Sequence, residues 1–201
     1  MTSGIRVGER DPKRRVILAA ARTALARNGF RRCSMEMIAR QAGMSRPALY
    51  LHFANREAIL RALGLEQTER AEQALRAALQ GKGRVEDRLA AAFAALRDAS
   101  AEPGWALPQE ADLPDRHGVP PDVAQEGQAR LCAVLADWLR TEAVAGRLRL
   151  ALPPDHAAEV MLAALRGIAT LPPPEVNRAL RSLAQMLGRG LTPLDPGALT
   201  P

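Results

Sequence analysis

The stretch MSRPALYLHF, residues 44–53, places Pro47, Tyr50, His52 and Phe53 directly behind Arg46 in a chain with only 3% aromatic residues. Side chains of these types, gathered behind a basic residue, suit recognition of a polyanion. A guanidinium offers two parallel N–H groups to a guanine edge, or one plain contact to a phosphate. Ala48 beside it either touches a thymine methyl or merely fills a helix. No nucleophile–base pair and no phosphate-binding glycine loop occurs, so nothing points to an enzyme. Asp112, Asp115, His117 and His156 have no diagnostic ligand spacing, and three histidines are few, so neither metal nor cofactor is expected. Cys33 and Cys132 do not make a disulfide framework. They read as reduced thiols, either buried or sensing oxidants.

The charge supports recognition of a polyanion. Residues 1–60 hold 12 Arg/Lys against 4 Asp/Glu, whereas the remainder hold 16 against 18. All of the net charge of +6 therefore resides in the first third. A compact basic unit on a near-neutral carrier suggests nucleic acid. Only Lys13 and Lys82 are lysines, which accounts for the preference for arginine but not for its segregation. No apolar run is long enough to cross a membrane and no secretory signal is seen, so a cytoplasmic, nucleoid-associated location is expected.

The elements that must position this stretch read as helices. Alanine and leucine dominate, and strand-favouring residues are scarce. Asp11-Pro12 starts a first helix carrying Ile17, Ala20, Ala21, Ala24 and Leu25, and Gly29 ends it. Ser34 caps a short second helix, MEMIARQA, and Gly43 breaks it. Ser45 caps the third, with Pro47 in its first turn where a missing N–H costs nothing. Asn55 caps a fourth, which runs to about residue 80. A fifth follows GKGR. Residues 101–122, rich in Pro, Gly and Asp, hold at most one short helix. Helices at about 123–145, 155–171 and 174–189 complete an all-α chain of about nine. The second and third helices, joined through Gly43 and locked by Ile38, Ala39, Ala42 and Leu49, have the spacing of a helix-turn-helix. The N-terminal half of its third helix, with Arg46, Pro47 and Ala48, would face a major groove.

Across residues 15–61 the sequence resembles the TetR family of bacterial transcriptional regulators. Gly29-Phe30, Ser34, Ile38-Ala39, Ala42-Gly43, Ser45, Leu49-Tyr50, His52-Phe53 and Glu57 all stand in register with the family pattern. Arg46-Pro47-Ala48 replaces the frequent Lys-Gly-Thr/Ser, Met44 a common valine, Cys33 a common threonine, and Arg56 the usual lysine.

The resemblance implies a helix-turn-helix DNA-binding domain at 11–58 and a ligand-binding and dimerisation domain at 59–190, with 1–10 and 191–201 flexible. It places Tyr50 and His52 on phosphates, although Tyr50 is alternatively packed against the first helix. Ser34, Ser45 and Arg56 become phosphate clamps, and Phe53 becomes core. Arg6, Arg10, Lys13, Arg14 and Arg15 form a minor-groove arm, or, for Arg6 and Arg10, a solubilising tail. Val160, Ala164, Ile168, Leu180, Leu183 and Leu187, on the last two helices, face a twin or else close a monomer core. Phe93, Leu96, Trp105, Leu135, Trp138 and Met161, with Leu131 and Leu165 beside them, bound an apolar effector or are ordinary core. The implied protein is a homodimeric, ligand-responsive repressor of a palindromic double-stranded operator. A transcriptional activator of the same fold, or a basic module that docks an acidic protein without reading DNA sequence, is the alternative.

Overall fold

A computed structural model describes residues 11–100 and 119–191. Among them the chain is helical throughout, with eight helices: α1 (Pro12–Arg32), α2 (Met35–Gln41), α3 (Arg46–Tyr50), α4 (Arg56–Leu79), α5 (Val85–Ser100), α6 (Pro121–Val144), α7 (Pro154–Ala169) and α8 (Pro173–Leu191). The ninth helix expected within 101–122 falls almost wholly outside the described residues.

The expected caps form. Asp11 Oδ1 accepts from Lys13 N at 2.9 Å, and Asn55 Oδ1 accepts from Ala58 N at 2.8 Å. These side-chain oxygens satisfy backbone donors that a helix start leaves open. Gly29 takes φ +71 as a glycine at a helix end does, and helical structure resumes beyond it to Arg32. The glycine, with non-helical dihedrals, ends the regular helix as expected, and a further helical turn follows directly after the kink.

Two compact units result. The first comprises, of the described residues, 11–67 and 119–125. Its core gathers Ile17, Leu18, Ala21 and Leu25 of α1 with Ile38 and Ala39 of α2, Leu49 of α3, Phe53, and Ile59, Leu60 and Leu63 of α4. Ala42, expected to help lock α2 to α3, is only half-buried. Arg22 bonds Glu66, and Arg61 makes a two-pronged pair with Asp122 at 2.6 and 3.1 Å.

The second unit comprises 68–100 and 126–191. Its core gathers Leu75 and Leu79 of α4, Leu89, Ala92 and Phe93 of α5, Val134, Leu135, Trp138 and Leu139 of α6, Met161 and Leu162 of α7, and Leu180 and Ala184 of α8. Two glycines let helices approach closely. A Cβ at Gly127 would lie 2.6 Å from Thr68 Oγ1, and one at Gly188 would lie 2.6 Å from Glu86 Cβ and 2.9 Å from its Cα. Beside this core sits a buried charge cluster. Glu142, 4% exposed, accepts from Arg88 Nη1 at 2.9 Å and from Arg147 Nε at 2.7 Å. Arg88 also donates through Nε to the Leu79 carbonyl at 2.8 Å, and its guanidinium lies 5.1 Å from the Trp138 ring. Thus α4, α5 and α6 meet at the Arg88 guanidinium.

The hydrogen bond from Arg147, together with that from Arg88, outweighs burial and lowers the Glu142 carboxyl to about 2, from an ordinary 4.5. Since the folded value is the lower one, the cluster's contribution is whole above about pH 4.5 and is lost as pH falls toward 2. Glu142→Gln is expected to cost about 2 kcal/mol at neutral pH, because it leaves Arg88 half-buried without its counter-charge. Urea unfolding of both proteins from pH 7 to pH 3 checks this: the gap between them should narrow below pH 4.5. A gap unchanged with pH would assign it to packing.

Candidate nucleic-acid interface

The turn from α2 to α3 decides where Arg46 and Tyr50 point. Gly43, at φ +65, follows the cap residue Ala42. Its N–H donates to the Arg40 carbonyl at 3.2 Å, and that of Met44 to the Ala39 carbonyl at 2.9 Å. This crossed pair, with a left-handed residue after the helix, is a Schellman motif. It satisfies the last carbonyls of α2 and fixes the chain's exit. Ser45 then caps α3, its Oγ accepting from Ala48 N at 3.3 Å, and Pro47 follows within the first turn. Ser34 does the same for α2, accepting from Met37 N at 3.2 Å. Both hydroxyls are exposed and keep their own O–H for another acceptor.

α3 has five residues, too few to be stable alone. Leu49 and Phe53, 0% and 2% exposed, hold it to the first unit's core. The opposite side lies open: Ser45, Arg46, Pro47 and Tyr50 are exposed, and Ala48 is half-buried. Arg46 Nη2 donates to Tyr50 Oη at 3.5 Å, with its guanidinium carbon 5.7 Å from the ring centroid. That hydrogen bond, with the Glu36 charge a lesser contributor, raises the Arg46 pKa further above its ordinary value, so Arg46 is a permanent cation.

Three residues of the expected interface have inward attachments. His52 is half-buried, with Nδ1 3.1 Å from Asp11 Oδ2. Its carbonyl accepts from Arg14 Nη1 at 2.6 Å, and the Arg14 guanidinium lies 4.0 Å from the Phe53 ring. Arg14 thus ties the start of α1 to the turn after α3 and does not extend as part of an arm. Lys13 and Arg15 are exposed on α1, whereas Arg6 and Arg10 lie outside the described residues. Arg56 also turns inward: its Nη2 donates to the Phe30 carbonyl, and its Nε is buried without a partner. Within the first unit its partner is the Phe30 carbonyl at the kink of α1. Leu51, 85% exposed at the end of α3, is a feature that sequence reasoning missed. No periodicity marks it, because the apolar residues flanking it at 49 and 53 are the ones that pack.

Of the expected effector residues, Phe93, Leu135, Trp138 and Met161 fall in the second unit's core, with Leu96, Leu131 and Leu165 packed against it. Trp105 lies outside the described residues. Trp138 Nε1 is buried without a hydrogen-bond partner. Of the expected dimer residues, Val160 is 49% exposed and Ala164, Ile168, Leu183 and Leu187 are half-buried. Leu180 is 5% exposed inside its own unit's core, so it belongs to that core and not to an outward face. Met186, 73% exposed, was not anticipated. Among the described residues no three His, Cys, Asp or Glu gather as a metal site, and no helix is long and apolar enough to cross a membrane. Asp112, Asp115 and His117 lie outside those residues. Burial raises the Cys33 thiol pKa against the opposing Arg56 charge, and burial with Glu159 and Asp155 raises that of Cys132. Neither is a ready thiolate.

Residues 17–63, which hold this geometry, match the family model described as bacterial regulatory proteins, tetR family. The chain is 31% identical over 150 residues to the HTH-type transcriptional repressor Rv1474c of Mycobacterium tuberculosis, covering 71% of this chain and 73% of that protein. The chain belongs to the TetR family. Its first 60 or so residues carry the family's helix-turn-helix. The HTH-type transcriptional regulator UidR of Escherichia coli is 38% identical over 73 residues, which span 36% of this chain and 37% of that regulator's length. A protein of unknown function from Rhodococcus sp. RHA1 has a similar fold, with TM-score 0.71 and 26% identity over 94% of this chain and all of that one.

Arg14 contributes one hydrogen bond and one cation–ring contact to the first unit, so Arg14→Ala is expected to cost roughly 1–2 kcal/mol. Thermal unfolding of the variant should show the loss with no change in the exposed donors of α3. An unaltered melting curve would mean that the clamp carries no weight.

Proposed function

We propose that this chain is a homodimeric, ligand-responsive repressor that reads a palindromic operator in double-stranded DNA. The observation that carries this reading is the open side of α3. Arg46 and Tyr50 stand exposed on a helix whose other side is held by Leu49 and Phe53. In this reading α3 enters the major groove, with Arg46 on a guanine edge and Pro47 and Ala48 against neighbouring bases. Ser34, Ser45 and Tyr50 meet phosphates, and His52 approaches one from its half-buried position. Arg56, anchored by Nη2 to the Phe30 carbonyl, has further N–H groups with which to join this set.

One three-helix unit is a weak specific binder, and a twofold pair doubles the contacts. The twin is expected to cover the outward side of α7 and α8, where Val160 and Met186 are exposed. Ala164, Ile168, Leu183 and Leu187 line its edge. The effector is expected to be largely apolar and to enter among Phe93, Leu96, Leu135, Trp138 and Met161. An acceptor atom on it would complete Trp138 Nε1, whose lack of a partner is otherwise a cost. Such a ligand would release the operator by favouring the dimer arrangement that fits DNA poorly.

Selection from random duplex DNA, followed by footprinting, tests the reading. A palindrome with half-sites about one helical turn apart is expected. Arg46→Ala should relax preference at one base pair per half-site by roughly tenfold or more, leaving the rest intact. Enrichment of no sequence, with binding set by salt alone, would reduce the chain to a non-specific polyanion binder.

A further inference from the structure

Arg46 and Tyr50 are four residues apart on α3 and share one face. Both are exposed, yet they touch each other: Arg46 Nη2 donates to Tyr50 Oη at 3.5 Å, and the ring centroid lies 5.7 Å from the guanidinium carbon. The backbone beneath both is fixed. Ser45 caps the helix and Pro47 sets its first turn under Arg46. Leu49 and Phe53, buried on either side of Tyr50 in sequence, hold its end of the helix to the core. A phenol has two rotatable bonds and an arginine has four, so the ring is the stiffer partner. The acid whose charge also bears on Arg46 is Glu36, and it is bonded to Arg40 at 3.5 Å.

We propose that Tyr50 is a positioning residue for Arg46: its ring and hydroxyl hold the guanidinium plane ready for a two-pronged contact with a base edge. This goes beyond a phosphate contact for Tyr50 and rests on the operator-reading function proposed above. An unsupported arginine at an exposed site samples many rotamers and must lose them on binding. A guanidinium held beside the ring and bonded to its hydroxyl has lost part of that freedom beforehand. The bond to Tyr50 uses one N–H of Nη2 and leaves the rest of the guanidinium's five donors for a base edge. Tyr50 thereby becomes a determinant of which base is preferred without touching that base.

The test measures affinity for the selected operator and for its single-base variants, using full-length wild type, Tyr50→Phe, Tyr50→Leu, Arg46→Ala and the double variant Arg46→Ala/Tyr50→Leu. Melting curves check that each is folded, which is expected because Tyr50 is 42% exposed. Tyr50→Leu should lower discrimination by roughly two- to fivefold at the base pair that Arg46→Ala relaxes. Tyr50→Phe, which keeps the ring, should restore most of it. Adding Tyr50→Leu to Arg46→Ala should change nothing further at that pair. If Tyr50→Leu instead weakens all sequences alike and preserves the preference, Tyr50 is a phosphate contact only and the assignment is overturned. If Arg46→Ala relaxes no position, the assignment falls with it. Wild type that selects no sequence at all would overturn the operator reading itself, which is a separate failure.

Discussion

The exit of the chain from α2 through Gly43 is the constraint on which the interface depends. α3 has five residues and no means of holding its own orientation. The crossed hydrogen bonds from Gly43 and Met44 set its direction, and Leu49 and Phe53 set its rotation about its axis. Rotate α3 by one residue and Arg46 leaves the open side while Leu49 leaves the core. The hydrophobic effect therefore orients the donors, although it acts on none of them. A residue with a Cβ at position 43 would strain this turn through its backbone dihedral alone, since a Cβ there would meet nothing within 4 Å.

The second unit solves a different problem. It must pack long helices closely while keeping an interior rich in leucine and alanine. Gly127 and Gly188 supply close approach. The carboxylate of Glu142 supplies direction, because Arg88 and Arg147 can each satisfy it in few geometries. Apolar packing alone tolerates sliding, whereas a buried ion pair does not. Trp138 lies at the junction of the two, its ring under Arg88 and its Nε1 without a partner.

What was legible in the sequence follows from the range of the forces involved. Ser34, Ser45, Asn55 and Asp11 were readable as caps because capping is decided within three residues. The core positions of α1 and α8 were readable because helical spacing repeats. Gly29 was readable as a helix end, but the extra turn that follows it to Arg32 was not, since those residues carry no start signal. The inward turns of Arg14 and Arg56 were invisible. Each is decided by a carbonyl, of His52 or Phe30, that is distant in sequence and has no compositional signature. The same holds for Arg88 with Glu142, 54 residues apart. The apolar face of α8 was read correctly as a stripe, but a stripe does not say whether a twin or the chain's own α5 covers it. Leu180 belongs to the latter case.

These inward arginines change the meaning of the charge asymmetry. Twelve basic residues among the first 60 suggest a broad electrostatic footprint. Yet Arg14, Arg22 and Arg56 are bonded to His52, Glu66 and Phe30 within the first unit. Their heads satisfy two carbonyls and one acid. Such residues add to the field felt by a distant polyanion while their contacts serve the first unit's own structure. In the proposed reading, association draws on the whole basic unit, and recognition on the few donors exposed on the open side of α3. A substitution at Arg22 would then act through folding and long-range field, and one at Arg46 through the choice of base.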